Sequence, residues 1–335
     1  MRRLRLHAPG DVDKRPLTIE ECPIPQPSAM QVRIKVSTCG VCHTDLHIVE
    51  GDIHPPQLPI TPGHQIVGVI DALGQQADSK KIGQRVGLPW LHSACGVCNF
   101  CKAGNENLCE RALFTGFHID GGFAEYLLAE AAFVLPIPAS LSDVEAAPLL
   151  CAGIVGYRSL RLADLQPGER LGLFGFGASG HLSLQIARHW GCEVYAFTRA
   201  EAHRRHALQL GAVWAGAAQE KPPKLLDRAV IFAPAGNLVP LALEKLRPGG
   251  TLALNAIHMT DIPAMPYQLV YGERTLRSVA NATRQDGMEF LRLAAEIPIQ
   301  VTTTNYPLEQ ANEALADMKH SRINGEAVLT IETNN

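Results

Sequence analysis

Residues 170–191 read RLGLFGFGASGHLSLQIARHWG, and what this stretch becomes decides the fold. Residues 170–176 form a short apolar run, the length and composition of a buried strand. Gly175, Gly177 and Gly180 then spell G-x-G-x-x-G. After them Leu182, Ile186 and Trp190 recur at helical spacing. Glycines mark turns everywhere, but between a strand and a helix this pattern acquires a meaning. The first glycine makes the tight turn, the second lets the backbone approach a pyrophosphate, and the third lets helix and strand pack closely. The helix start offers unpaired N–H groups to the phosphates. Gly175, Gly177 and Gly180 are therefore expected to bind a dinucleotide; the bare alternative is a tight turn with no ligand.

The pattern continues outward. CEVYAFT (192–198) reads as a second strand and AEAHRRHALQLGA (200–212) as a second helix ended by Gly211. RAVIFA (228–233) and TLALNAI (251–257) extend the alternation, with a helical stretch between them closing at Arg247-Pro248-Gly249-Gly250. Strand and helix alternating at this spacing means βαβ units and a doubly wound parallel sheet. The end of the second strand bears on the cofactor. An NAD-binding unit usually carries Asp or Glu there, about 20 residues past the glycines, to hold the ribose hydroxyls. Here the strand ends in Phe197-Thr198-Arg199, with no acid. Thr198 leaves room, Arg199 can pair with a 2′-phosphate, and His203, Arg204 and Arg205 add positive charge. The reading is NADP(H) preferred over NAD(H); the alternative is that Arg199 faces solvent and NAD is used.

The first third reads as β-rich. Val32, Ile34 and Val36 alternate with polar residues, and HQIVGVIDALG (64–74) and RVGLPWL (85–91) look like further strands broken by Gly and Pro. From about Gln285 come two helical patterns and a last strand, EAVLTIE (326–332). The expected organisation is a β-rich domain over 1–140, a doubly wound domain over 141–278, and a tail, 279–335, that returns to the first.

Composition narrows the function. The 335 residues are 46% hydrophobic and 19% charged, ordinary for a soluble globular enzyme, with a formal charge of -3. No basic field invites nucleic acid, and no uninterrupted apolar stretch of about 18 residues suggests a membrane span. The basic start, MRRLRLHAPGD, has no apolar core behind it, so a cytoplasmic location is expected. In a reducing compartment nine cysteines are expected as metal ligands or buried thiols rather than disulfides.

Cys95, Cys98, Cys101 and Cys109 lie within SACGVCNFCKAGNENLCERA (93–112). Four thiols this close can close tetrahedrally on a structural zinc. An iron–sulfur cluster is the metal alternative. A second cluster, CGVCHTDLH (39–47), packs cysteine, histidine, threonine and aspartate together. A catalytic zinc needs about three protein ligands and an open position. Cys42, His64 in PGHQIVG (62–68) and Cys151 in PLLCAGIVGY (148–157) are the candidates, leaving Cys22, Cys39 and Cys192 as ordinary thiols. Trp90, Leu91 and His92 either line a pocket or pack a strand end.

These motifs, with DGGFAEY (120–126), occur in an order that resembles the zinc-dependent medium-chain alcohol dehydrogenases over essentially the whole chain. The resemblance implies an α/β protein: a GroES-like catalytic domain with an inserted Rossmann-type domain. It implies Cys42, His64 and Cys151 as catalytic zinc ligands, a second, structural zinc on the four cysteines, and Asp45 as the carboxylate orienting His64. It implies Thr44 as the hydroxyl that takes the substrate proton, passing it through the cofactor ribose toward His47, with His43 near the pyrophosphate. Zinc lowers the pKa of a bound alcohol, which can then give hydride to the nicotinamide. The expected activity interconverts small primary alcohols and aldehydes, aliphatic or aromatic, in a homo-oligomer, dimer or tetramer. Polyol substrates, or a non-catalytic sensor binding zinc and nucleotide, are the alternatives. Besides the missing acid, two positions depart from the family. Gln65 stands where Glu usually follows the ligand histidine. Gly325-Glu326-Ala327-Val328 stands where a G-R-x-V pattern usually brings a basic residue to the cofactor phosphates, a contact Arg322 could replace.

Overall fold

The computed structural model describes residues 1–323 and 325–332. The chain divides into two compact units, Ala152–Ala282 and the remainder, Met1–Cys151 with the segment from Thr283 onward.

In Ala152–Ala282, six strands among the described residues form one sheet. Their order is Trp214–Gly216, Glu193–Phe197, Arg170–Phe174, Leu226–Ile231, Leu246–Leu254 and Thr275–Ser278, all parallel. The chain order reverses between Arg170–Phe174 and Leu226–Ile231, and open sheets of this kind take ligands at such a reversal, beyond the carboxyl ends of the strands. Leu171, Leu173, Val194, Val230 and Ile231 are fully buried, as strands covered on both faces require. The rings of Phe174 and Phe197 stack 4.1 Å apart between neighbouring strands. At the opposite end, Asp227 accepts from the backbone N–H of Arg170 at 2.9 Å and from its Nε at 2.8 Å, and also pairs with Arg247. The tetrapeptide expected to close a helix is instead drawn into a strand. The helix Leu238–Lys245 stops before it, and Leu246–Leu254 carries Arg247–Gly250 across an irregular register. Gly249, at φ 72°, donates its N–H to Gly272 O at 2.8 Å there.

The other unit is built on a largely antiparallel sheet. Its order is Thr303–Pro307, Glu326–Thr330, Gln31–Val41, Gln65–Leu73, Arg85–Leu88 and Leu135–Pro136, with Tyr126–Glu130 also paired to Gln31–Val41. Val32, Ile34 and Val36 face the core, each at most 1% exposed, so the period-two alternation marks a real strand face. The expected C-terminal return is the pairing of Glu326–Thr330 with Gln31–Val41.

The units part at Cys151 and Thr283, several residues beyond the expected 140 and 278. The difference has a local cause. Ser142 starts the helix Asp143–Pro148 with a reciprocal cap on Glu145. That helix is tied to the first unit: Thr38 Oγ1 donates to Asp143 O at 3.0 Å, and Arg85 pairs with the Asp143 carboxylate at 2.6 Å. A single π-type turn, Leu149–Gly153, follows and carries Cys151. Among the described residues, no helix is long and apolar enough to cross a membrane.

Candidate metal centres and nucleotide loop

Cys42 is the N-cap of the helix His43–Glu50. Its sulfur accepts from the Thr44 N–H at 3.3 Å, while the Asp45 carboxylate reaches back to the Cys42 N–H at 3.0 Å. A cap normally satisfies the helix end with an oxygen; here a thiol does so and is thereby fixed. Asp45 has a second task. Its other oxygen accepts from Gly63 N–H at 3.1 Å and meets His64 Nδ1 at 3.0 Å. Both Asp45 and His64 are buried. With Nδ1 held, Nε2 is turned to the Cys42 sulfur, 3.3 Å away. Cys151 completes a group whose ligand atoms all lie within 4.8 Å of one another.

The distances suit zinc. Tetrahedral bonds of about 2.3 Å to sulfur and 2.0 Å to nitrogen set those atoms about 3.5 Å apart. The electrostatics suit a cation too. Burial works against a charged His64, but Asp45 and the Cys42 sulfur reverse this, and its pKa stands well above the ordinary value. The Cys42 thiol is held well below its usual range, chiefly by a hydrogen bond from Cys151, whose own thiol is pushed up by the same contact. Trp90 presents its edge to His64, ring centroids 5.0 Å apart, and stacks on Phe114. It walls the histidine, while His92 is buried and pushed down to about 4 by that burial.

Cys95, Cys98, Cys101 and Cys109 also place their sulfurs within 4.8 Å of one another, Cys95 and Cys101 at 3.9 Å. Sulfurs around one tetrahedral zinc lie about 3.8 Å apart. All nine cysteines are free thiols. The N–H groups of Val97 and Cys98 hold the Cys95 thiol down to about 5, which favours the thiolate a metal needs.

The glycine loop lies at the strand reversal of the parallel sheet. Gly175 has φ 95°, and a Cβ there would meet Ala233 N at 2.8 Å; one on Gly180 would meet Gly175 O at 2.7 Å. Gly177 is different, because a Cβ there would meet nothing within 4 Å. That open space over a helix start, Ala178–His189, with no side-chain cap, fits a pyrophosphate. Beyond the next strand, Thr198 O accepts from Arg204 Nε at 2.9 Å. Arg199 and Arg205 are exposed, with no ion pair among the described residues. His43 is exposed; Thr44 is half-buried, and its hydroxyl has no hydrogen-bond partner among the described residues. His47 Nδ1 meets Asp52 at 2.8 Å.

The alcohol dehydrogenase GroES-like domain model matches residues 28–139, and the zinc-binding dehydrogenase model matches 178–296. A Mycobacterium tuberculosis protein named "Probable alcohol dehydrogenase AdhA" is 46% identical over 98% of this chain and 96% of its own. An alcohol dehydrogenase of Geobacillus stearothermophilus is 37% identical over 95% of this chain and 97% of its own. The chain belongs to the zinc-dependent medium-chain dehydrogenase family. A cinnamyl alcohol dehydrogenase from Sorghum bicolor, 25% identical, superposes with a TM-score of 0.90, covering 100% of this chain and 99% of that one. The protein is thus an oxidoreductase of the alcohol dehydrogenase type, a GroES-like domain joined to a Rossmann domain.

Within that family the two odd positions acquire an environment. Gln65 is fully buried, and neither amide atom has a hydrogen-bond partner among the described residues. Glu326, 7% exposed, is buried near Cys42 and Cys151. Sequence reasoning placed Glu326 only as a missing basic residue. Its position beside the Cys42–His64–Cys151 cluster follows from strand pairing, which spacing along the chain does not reveal.

Proposed function

We propose that this protein is an NADP(H)-preferring zinc alcohol dehydrogenase, converting a small primary alcohol and NADP⁺ to an aldehyde, NADPH and a proton, and running in reverse as an aldehyde reductase. The observation that carries it is the Cys42–His64–Cys151 cluster, three ligand atoms within 4.8 Å clamped from behind by Asp45. One zinc is assigned to that cluster and a second, structural, to Cys95, Cys98, Cys101 and Cys109. Bound at the first, zinc would supply Lewis acidity at the substrate oxygen, and the nicotinamide would supply the hydride acceptor.

The chain's own groups supply the rest. Asp45 keeps Nδ1 of His64 engaged and Nε2 turned to the metal. The Thr44 hydroxyl takes the alcohol proton, for which its lack of another hydrogen-bond partner among the described residues suits it, and His47 hands the proton on toward solvent. Gly175, Gly177 and Gly180 admit the pyrophosphate, and His43 is assigned to the same phosphates. Thr198 and Arg199 receive the 2′-phosphate, with Arg205 adding charge. The absence of a carboxylate at Thr198 removes the group that would repel that phosphate.

Initial rates on zinc-loaded protein test this, with NADP⁺ and NAD⁺ against primary, secondary, benzylic and polyol substrates. Turnover of primary alcohols favouring NADP⁺ is the expected result. Preference for polyols would move the substrate class, and preference for NAD⁺ would remove the Arg199 role. No turnover with two zincs bound would replace the reading by a sensor that binds zinc and nucleotide without catalysis.

A further inference from the structure

The two positions that depart from the family lie on one face of one sheet. Gln65 pairs with Gly40, and Gly40 pairs with Val328. Residues paired across strands share a face, as do residues two apart along a strand. Glu326, two before Val328, therefore lies on the face of Gln65. Ala327 pairs with Val41, which sets Glu326 beside Cys42. The same face carries Thr38, bonded to the helix that leads into Cys151. Gly40, lacking a side chain, makes room for Gln65 on this face: a Cβ there would meet Gln65 Oε1 at 2.1 Å.

Glu326 is 7% exposed, and no hydrogen bond or ion pair holds its carboxyl among the described residues. A buried carboxylate is retained where a cation or hydrogen bonds compensate it. Its neighbours are Cys42 and Cys151, two of the three residues assigned above as metal ligands. The cation this neighbourhood is built to hold is the metal of the Cys42–His64–Cys151 cluster.

We propose that Glu326 is the outer carboxylate of the Cys42–His64–Cys151 metal centre, a positioning residue that sets how firmly the centre keeps its ion. The inference rests on the ligand assignment above. Two thiolates and one neutral imidazole just cancel the metal's charge. A further carboxylate on the same sheet face gives the ion a net negative surround without occupying the open position.

The test is metal release rather than turnover. In wild-type protein holding two zincs, the rate of zinc transfer to a chromogenic chelator is measured, with the four-cysteine zinc as internal control. Glu326→Gln should release the Cys42–His64–Cys151 zinc about ten times faster or more, leaving the four-cysteine zinc unchanged. It should also shift the visible bands of Co²⁺ placed in this centre. The exchange Gln65→Glu with Glu326→Gln puts a carboxylate back on the same face and should return both readouts toward wild type, which mere repair of packing would not do. Should Glu326→Gln alone fail to fold, the exchanged chain decides: release near the wild-type rate supports the role, and faster release rejects it. Unchanged release and an unchanged cobalt spectrum in Glu326→Gln overturn the inference while leaving the ligand assignment standing. A wild-type chain that holds zinc on the four cysteines alone overturns both.

Discussion

Asp45 works at two places at once, and that makes it a sensitive residue to probe. One oxygen finishes the helix cap at Cys42, and the other fixes His64 and the Gly63 N–H. Asp45→Asn keeps the size but removes the charge that favours a cation. Zinc affinity at this centre should fall by about ten- to a hundredfold, read by competition with a chelator, while the four-cysteine site is unaffected; equal loss at both would mean a general folding defect. Thr44 is a cleaner probe of the proton path, because its hydroxyl supports no hydrogen bond among the described residues. Thr44→Ala should lower turnover by about 10² or more with NADPH binding, followed by fluorescence, intact; unchanged turnover would remove the relay role. Arg199→Ala should raise the KM for NADP⁺ by about tenfold or more, as loss of a charged hydrogen bond predicts, and leave that for NAD⁺ unchanged. Asp45 and Thr44 are placed by one short motif, residues 39–47, that becomes a single helix start. Glu326 is not, since its partner Cys42 lies across a strand pairing nearly the length of the chain away.

Elements were legible where one local signal suffices. The strand, glycine turn and helix of 170–191 announce themselves by apolar run, glycine spacing and 3.6-residue period, and they appear as Arg170–Phe174 and Ala178–His189. The helix Asp143–Pro148 shows the other case. Its capping box can be read from Ser142 and Glu145, but which unit it joins depends on Thr38 and Arg85, and no local pattern carries that. Asp227 is a comparable tertiary knot, joining the starts of two parallel strands through Arg170 and Arg247. Burial opposes its charge, yet the two arginines win and hold its carboxyl well below the usual carboxylate range. A carboxyl whose folded pKa is depressed stabilises fully above its unfolded value, and that contribution is lost as the pH falls toward the folded one. Asp227→Asn should therefore cost about 1–2 kcal/mol at neutral pH, discounted for the partly exposed arginines. The gap to wild type should begin to close below about pH 4. Denaturant melts at pH 7 and pH 3 read both, and a gap that stays constant would show that shape rather than charge is responsible.

At the scale of the whole chain, the ends of the first unit are stitched together. Asn312 exchanges hydrogen bonds with the Leu17 backbone at 2.9 and 3.1 Å, and Arg2 reaches Glu125 and the carbonyl of Glu332. The four-cysteine segment enters the same stitching: buried Glu106 accepts from the Arg284 N–H at 3.1 Å and its Nε at 3.0 Å. Yet that segment has little core of its own. Buried Leu91, Cys109, Ala112 and Phe133 form its small cluster, while Val97, Phe100 and Leu108 are 63%, 44% and 42% exposed. A segment with so few buried apolar groups needs a cross-link to hold one conformation. Cys101→Ser should thus cost one zinc per chain and open the segment without unfolding the sheet behind it. Trypsin should then cut faster at Lys102 and Arg111, both exposed, than in the zinc-loaded wild type. NADPH binding should persist, because the glycine loop belongs to the unit 152–282, which has its own core. Cleavage at the wild-type rate would mean that the Glu106–Arg284 pair and the small apolar cluster suffice to hold the segment. Loss of NADPH binding would instead mean that the two units fold as one cooperative body and that the four-cysteine zinc holds both.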